Sequence, residues 1–354
     1  MRKGLAIFCA LLLTATLAAI PFLCAHCSLL PEKATAYYEQ KARREAQAGD
    51  SPEAQLMQLL LGGAAQEEAK EEPSRPAFYA YGLHTAVAAA AGGAVAFGSL
   101  AFSKRKEKNW ASLFAAVCLA VPLGLLGARL TYCAANAGFY LHTIEDPAAM
   151  LRIWEGGLSL SGALAGAALG GVIAAKGCKA GVKDTLDALS RGLLTFAGYA
   201  RLNEALIGAG YGPEWGLAAP RLPTWQIMAF ASVLILCLRA DFPRYAFLYG
   251  GVMILLESLR RDGHMLWGFV HAEQVLALCM ALPALLYWAA KIKKAPLALA
   301  ATAALAGAVV ALEFALDRSP VSDLLLYGVY ALAAAAYIAL GLRFAKRAGK
   351  LSAA

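Results

Sequence analysis

The sequence predicts an all-α fold, a polytopic helical membrane protein of about ten transmembrane helices, and three observations carry that prediction. Hydrophobic residues make up 60% of the chain and charged residues only 16%, with a mean hydropathy of +0.56. Soluble domains sit near 45–50% apolar and about 25% charged, so one or two globular cores would not hide this much apolar surface. The apolar residues also fall in blocks of about 20, separated by short charged punctuation, which is the length that crosses a bilayer as a helix. Alanine and glycine dominate those blocks, and small residues let membrane helices approach closely. A barrel would alternate polar and apolar residues with period two. These segments do not, and helices satisfy their own backbone groups inside hydrocarbon.

Ten segments follow in order, near 5–27, 77–102, 110–131, 157–175, 186–208, 224–238, 244–259, 266–290, 297–316 and 321–342. Those at 224–238 and 244–259 are short for an upright span, which points to tilt, a break or an extension. Orientation follows from lysine and arginine placement. With Arg2 and Lys3 inside, the same side receives Lys104, Arg105, Lys106 and Lys108, then Lys176, Lys179, Lys183 and Arg191. It also receives Arg239, Arg244, Lys291, Lys293, Lys294, Arg343, Lys346, Arg347 and Lys350. Both termini are then expected in the cytoplasm. The net charge of +8 is dispersed as loop punctuation without one basic face, so no nucleic-acid partner is expected.

The expected organisation has four parts. Residues 1–27 form an N-terminal anchor or signal segment. The apolar stretch is long for a cleaved signal, and Leu23-Cys24-Ala25-His26-Cys27 lacks the small residues that precede a lipidated cysteine, which favours an uncleaved anchor. Residues 28–76 form an extracytoplasmic polar arm, with a helix start at Ser51-Pro52-Glu53. Residues 77–290 supply seven spans, and residues 291–354 supply two further spans with a cytoplasmic tail. The eight cysteines suggest neither zinc ligation nor a disulfide framework. No Walker loop, dinucleotide fingerprint, serine-centred elbow or HExxH occurs, and neither metal nor cofactor is expected.

The informative residues break the orientation pattern. Arg129, Arg201, Arg260 and Arg261 lie at or within the outward ends of three spans. A cation in a span costs at least about 2.5–3.5 kcal/mol on insertion scales, so it lines a cavity or finds a partner. Snorkelling to head groups, or pairing with Glu204, Glu257 or Glu273, is the structural alternative. Guanidinium groups from three spans at one depth match the forked geometry of phosphate oxygens. Tyr81, Trp154, Glu155, Ser161 and Gln274 fall in the same outer half. Together they describe a cavity open to the outer leaflet for an anionic lipid head group. Glycines accompany the arginines: WEGGLSLSGALAG at 154–166 enters a span through Gly156 and Gly157, and RLNEALIGAGYG at 201–212 leaves one through Gly208, Gly210 and Gly212. Such glycines allow close backbone approach and free amides for anions.

These motifs resemble the prolipoprotein diacylglyceryl transferase family over residues 79 to 290. The resemblance lies in their order and spacing: Ala80-Tyr-Gly-Leu83, Gly127-Ala-Arg-Leu-Thr-Tyr132, the 154–166 run, ARLNEALIGAGYG at 200–212, Glu257-Ser-Leu-Arg-Arg-Asp262 and Glu273-Gln274. It implies a seven-helix transferase-like core that moves diacylglyceryl from phosphatidylglycerol to a lipobox cysteine thiol of an exported prolipoprotein. Glycerol phosphate is released, within the bacterial plasma membrane and its lipids. It also implies essential roles for Arg201 and Arg260 and a functional role for Tyr81. Arginines would stabilise charge on the leaving phosphate, with Arg129, Arg261, Gly156, Gly157, Ser161, Asn203, Glu204, Gly208 and Gln274 contributing to substrate binding.

The chain also departs from the family pattern. Ser161 stands where a histidine is usual, Asn203-Glu204 follows Arg201-Leu202 in place of glycine-asparagine, and Ala209 replaces a glutamate. Pro223-Thr-Trp-Gln226 only echoes a proline-serine-glutamine motif, and the outer head is cut to about 209–223. A thiol near pKa 8.5 needs a base at neutral pH. His271, three residues before Gln274 on the expected helical face, is the first candidate, followed by His264 and then His84. Two other classes remain open: a catalytically silent relative binding anionic lipid or an exported partner, and a small-solute transporter, for which no inverted repeat is evident.

Overall fold

The computed structural model describes residues 3–23, 80–102, 109–143, 147–207, 209–212, 222–238, 240–260 and 265–351. The expected polar arm at 28–76, the Cys24/Cys27 pair, His264 and Arg261 lie outside these. Among the described residues are ten α-helices: α1 (Lys3–Leu23), α2 (Ala80–Ala101), α3 (Trp110–Ala135), α4 (Leu160–Gly177), α5 (Val182–Asn203), α6 (Thr224–Cys237), α7 (Phe242–Ser258), α8 (Ala272–Lys291), α9 (Ala295–Arg318) and α10 (Asp323–Leu351). Each overlays one of the ten apolar blocks. By length and hydropathy α2, α3, α4, α8, α9 and α10 are able to cross a membrane, while α6 and the Ile7–Phe22 part of α1 are shorter apolar helices. The protein is an all-α, multi-pass membrane protein.

Exposed apolar side chains agree. Leu83, Leu126, Leu130, Leu169, Phe230, Leu234, Leu299 and Leu332 point away from the bundle, an apolar exterior that water would oppose and lipid accepts. The interior is built by close helix approach. Gly162, Gly166 and Gly170 recur every fourth residue and form one stripe on α4 against α3. A Cβ on Gly162 would come within 2.6 Å of Gly127 O, and one on Gly170 would meet Leu119 backbone at about 3.0 Å. The α2–α5 crossing is equally tight, since a Cβ on Gly92 would lie 2.6 Å from Gly192 O. α1 lies across α2 and α3.

A second packing region joins the last four spans. Phe247 of α7 packs edge-on against Trp288 of α8, with centroids 5.4 Å apart, and against Tyr337 of α10. Gly341 leaves room for the Phe247 ring. Tyr330, Tyr337 and Phe344 of α10 and Leu305 and Val309 of α9 belong to the same apolar cluster as Tyr245, Met253 and Leu285. The two C-terminal helices therefore share the main core of the bundle.

One boundary differs from the sequence expectation. The block at 266–290 begins with a two-stranded hairpin, β1 (Leu266–Trp267) pairing antiparallel with β2 (Val270–His271), before α8 starts at Ala272. Gly268 at φ +63° and Met265 at φ +51° supply the left-handed backbone that helix cannot accommodate. His271 is thereby the N-cap of α8 and not a member of its face.

Candidate active site

Two short charge pairs build the centre. Arg201, near the end of α5, precedes Glu204 by three residues, and Arg260, just past α7, follows Glu257 by three. One helical turn brings each pair together, and docking α5 beside α7 joins them. Arg201 Nη1 donates to Glu204 Oε1 at 2.8 Å, and its Nη2 donates to Glu257 Oε1. Arg260 Nη1 lies 3.1 Å from Glu204 Oε1 and 3.7 Å from Glu257 Oε2. All four side chains are buried, Arg260 and Glu257 at 2% exposure each. The cluster is locally neutral, two guanidinium groups against two carboxylates. Arg201 Nε has no hydrogen-bond partner among the described residues, leaving one donor uncommitted.

Glu273, in the first turn of α8, approaches from the other side. Its Oε1 accepts a 2.7 Å hydrogen bond from Ser159 Oγ. Ser159 is the N-cap of α4, and its hydroxyl also accepts from Gly162 N at 3.0 Å. Ser161, buried on the same turn, neighbours the same carboxylate. Glu273 Oε2 is buried without a hydrogen-bond partner among the described residues.

Arg201, Glu204, Ser159 and Glu273 line one end of an open cavity. Its polar end holds Tyr81, Thr85, Ser159, Arg201, Glu204 and Glu273. The remaining wall is small and apolar, running from Ala200 past Phe196 and Gly192 to Leu189 on α5, with Ala128 through Val117 on α3 opposite. The twelve residue-to-residue steps from Leu189 to Arg201 rise about 18 Å along the helix axis. Asn203 ties the rim together, its Nδ2 donating to Thr85 Oγ1 at 3.4 Å, while Thr85 donates to Tyr81 O at 2.8 Å.

Residues 74–290 match the sequence model of prolipoprotein diacylglyceryl transferase, which is more than half of the chain. The chain belongs to the prolipoprotein diacylglyceryl transferase family. Individual relatives are distant. The phosphatidylglycerol–prolipoprotein diacylglyceryl transferase of Listeria welshimeri is 24% identical over 191 residues, 46% of this chain and 68% of that protein. That of Symbiobacterium thermophilum is 27% identical over 191 residues, covering 46% and 70%. A shorter match of 103 residues to the enzyme of Mycobacterium bovis reaches 35% identity, covering 28% and 22%.

Within this diacylglyceryl transferase, the structure brings Arg201, Arg260, Asn203, Glu204, Ser161 and Tyr81 to one end of the bundle. Three other expected residues sit differently. Arg129 does not face the cavity's open space: its Nε donates to Met150 O at 2.8 Å, Nη1 to Gly156 O and to Gly157 O at 3.2 Å, and Nη2 to Arg152 O at 3.2 Å. It is a clamp on the glycine loop, where Gly156 and Gly157 take φ of +87° and +79° and a side chain on Gly157 would strike the Tyr132 ring. Gln274 turns away toward the C-terminal spans, its Nε2 donating to Glu313 Oε1 at 2.5 Å and to Tyr330 OH at 2.9 Å. His271 donates its backbone N–H to Gln274 Oε1 at 3.0 Å, and neither it nor His84 is among the cavity-lining residues. Gly208, like Arg261, lies outside the described residues.

Sequence reasoning missed Ser159 and Thr85 as site residues, and it weighed Glu273 only as a partner for an arginine. Ser159 carried a signal: a serine directly before an apolar helical run is an N-cap signature. Thr85 follows Tyr81 at helical spacing and so shares its face.

Proposed function

We propose that this protein is a phosphatidylglycerol–prolipoprotein diacylglyceryl transferase of the bacterial plasma membrane. It moves diacylglyceryl from phosphatidylglycerol to the thiol of a lipobox cysteine in an exported prolipoprotein, forming a thioether and releasing glycerol phosphate. Both termini lie in the cytoplasm, so the polar end of the cavity faces outward, where exported substrates are presented.

The observation that carries this reading is the two-ended cavity, polar at one end and small-walled and apolar over the rest. A phospholipid has the same division. Its acyl chains belong beside Gly192, Leu193 and Ala120, and its phosphate beside Arg201. A phosphate entering there meets the uncommitted Arg201 Nε and competes with the two glutamates for the guanidinium forks, supported by the matching geometry of forked donors and phosphate oxygens. As the bond from glyceryl carbon to phosphate oxygen breaks, charge grows on the phosphate, and prepositioned guanidinium groups stabilise that growth without reorganisation. Arg260 shares both glutamates with Arg201 and sets its position. Tyr81 and Asn203 shape the rim, and the clamped Gly156–Gly157 loop with Ser161 walls the opposite side.

The test is full-length protein reconstituted in phosphatidylglycerol vesicles with a lipobox peptide, read by mass spectrometry of the thioether product. Arg201→Lys keeps the charge and loses the fork, and its transfer rate is expected to fall roughly 100-fold or more. A folded wild-type protein yielding no thioether refutes the proposal.

A further inference from the structure

We infer that Glu273 takes the proton from the incoming cysteine thiol, in the transfer proposed above. The transfer needs a base, because a thiol with pKa near 8.5 is mostly protonated at neutral pH. Among the described residues three carboxylates stand at the polar end, and their surroundings divide them. Glu257 and Glu204 are each ion-paired with both arginines. Although Glu204 Oε2 also has no hydrogen-bond partner among the described residues, its carboxylate is committed to holding the two guanidinium groups. Glu273 has no arginine within ion-pair distance among the described residues. It is 97% buried, at 3% exposure. Ser159 fixes one of its oxygens, and the other lies at the cavity wall without a hydrogen-bond partner. One oxygen anchored and one uncommitted is the arrangement a positioned base requires.

Two of the candidate histidines, His271 and His84, are less well placed. His271 caps α8, and neither it nor His84 reaches the cavity wall. Ser161, at the position where the family resemblance leads one to expect a histidine, neighbours Glu273 itself. The carboxylate from α8 thus occupies the neighbourhood that a side chain at 161 would otherwise serve.

The step balances as follows. The thiol proton passes to Glu273 Oε2, and the sulfur lone pair forms a bond to the glyceryl carbon bearing the phosphate ester. The carbon–oxygen bond breaks with its electrons on the phosphate oxygen beside Arg201. The proton held by Glu273 then passes to the departing glycerol phosphate. The charged and titratable groups acting on Glu273 are Glu257, Arg201 and Tyr249, with Ser161 and Ser159 as hydrogen-bonding neighbours, and Glu204, just past α5, lines the same cavity. Glu313 is reached through Gln274.

Glu273→Gln preserves shape and the acceptor for Ser159 while removing the base. In phosphatidylglycerol vesicles with the lipobox peptide, kcat at pH 7 is expected to fall roughly 100-fold or more, with KM for phosphatidylglycerol within about threefold of wild type. The deficit narrows as pH rises and the thiol ionises unaided. Adding Ser161→His to Glu273→Gln is expected to recover at least about tenfold. Glu273→Asp, a second variant in case the first does not fold, keeps a carboxylate with partial activity and a wild-type pH profile. A folded Glu273→Gln that transfers at the wild-type rate overturns the base assignment and leaves the transferase reading standing. The same result follows from a deficit constant across pH. A wild-type protein inactive in the same assay overturns both.

Discussion

Removing Arg260 alone should damage the protein more than removing Arg260 together with one of its glutamates. The four buried charges cancel, and Arg260→Met leaves Glu204 and Glu257 facing a single Arg201, at 2–5% exposure. Breaking a buried pair from one side costs about 3–5 kcal/mol, because the orphaned charge has already lost its hydration. Adding Glu204→Gln restores neutrality and retains the Arg201–Glu257 pair. The double variant should recover at least about 2 kcal/mol relative to the sum of the singles, a coupling of the size found for contacting groups. The assay is thermal unfolding in detergent followed by tryptophan fluorescence. Arg260→Met should lower the midpoint by roughly 5–10 °C, and the double variant should melt clearly above it. If the two substitutions add, or if Arg260→Met melts like wild type, the charges are not coupled as described.

Two further outcomes follow from the cavity and the C-terminal spans. Ala120→Phe places a ring partway along the apolar wall of α3, so transfer from long-chain phosphatidylglycerol should fall roughly tenfold or more relative to a dioctanoyl analogue, measured as the ratio of kcat/KM for the two lipids. Glu313→Ala removes one acceptor of Gln274 Nε2 in the core shared by α8, α9 and α10. Gln274 Nε2 keeps Ile254 O and Tyr330 OH as acceptors, so the loss of one hydrogen bond should cost about 0.5–1.5 kcal/mol, seen as a lower melting midpoint.

The fold was legible because its signal is local. A run of about 20 apolar residues reports a span whatever its neighbours do, and each of the ten blocks contains a helix. The hairpin at 266–271 escaped because its residues are apolar and hydropathy does not distinguish strand from helix over so few positions; only Gly268 marked the turn. The site divides along the same line. Arg201 and Arg260 stood out as charges in the wrong place, a property of the sequence alone. Their shared glutamates are 56 residues apart from them along the chain in the cross-helix contacts, and no spacing rule relates residues so far apart. Arg129 shows the limit most clearly. Its position matched that of a phosphate ligand, but its Nε, Nη1 and Nη2 donate to carbonyl oxygens of the loop from Met150 to Gly157, which only the folded chain reveals. Glu273 gained its interest from Ser159, a partner 114 residues away.

The spacing within each charge pair bears on how the chain enters the bilayer. Arg201 and Glu204 are three residues apart at the end of one helix, and so are Glu257 and Arg260 at the end of another. A nascent segment carrying a lone arginine would meet an insertion penalty of about 2.5–3.5 kcal/mol. Here each segment brings a counter-ion for its arginine within one turn, which offsets that penalty. The first pair emerges from the ribosome more than fifty residues before the second, and needs nothing from it to be tolerated. The four-charge centre is then assembled laterally, by the ends of two helices meeting inside the membrane.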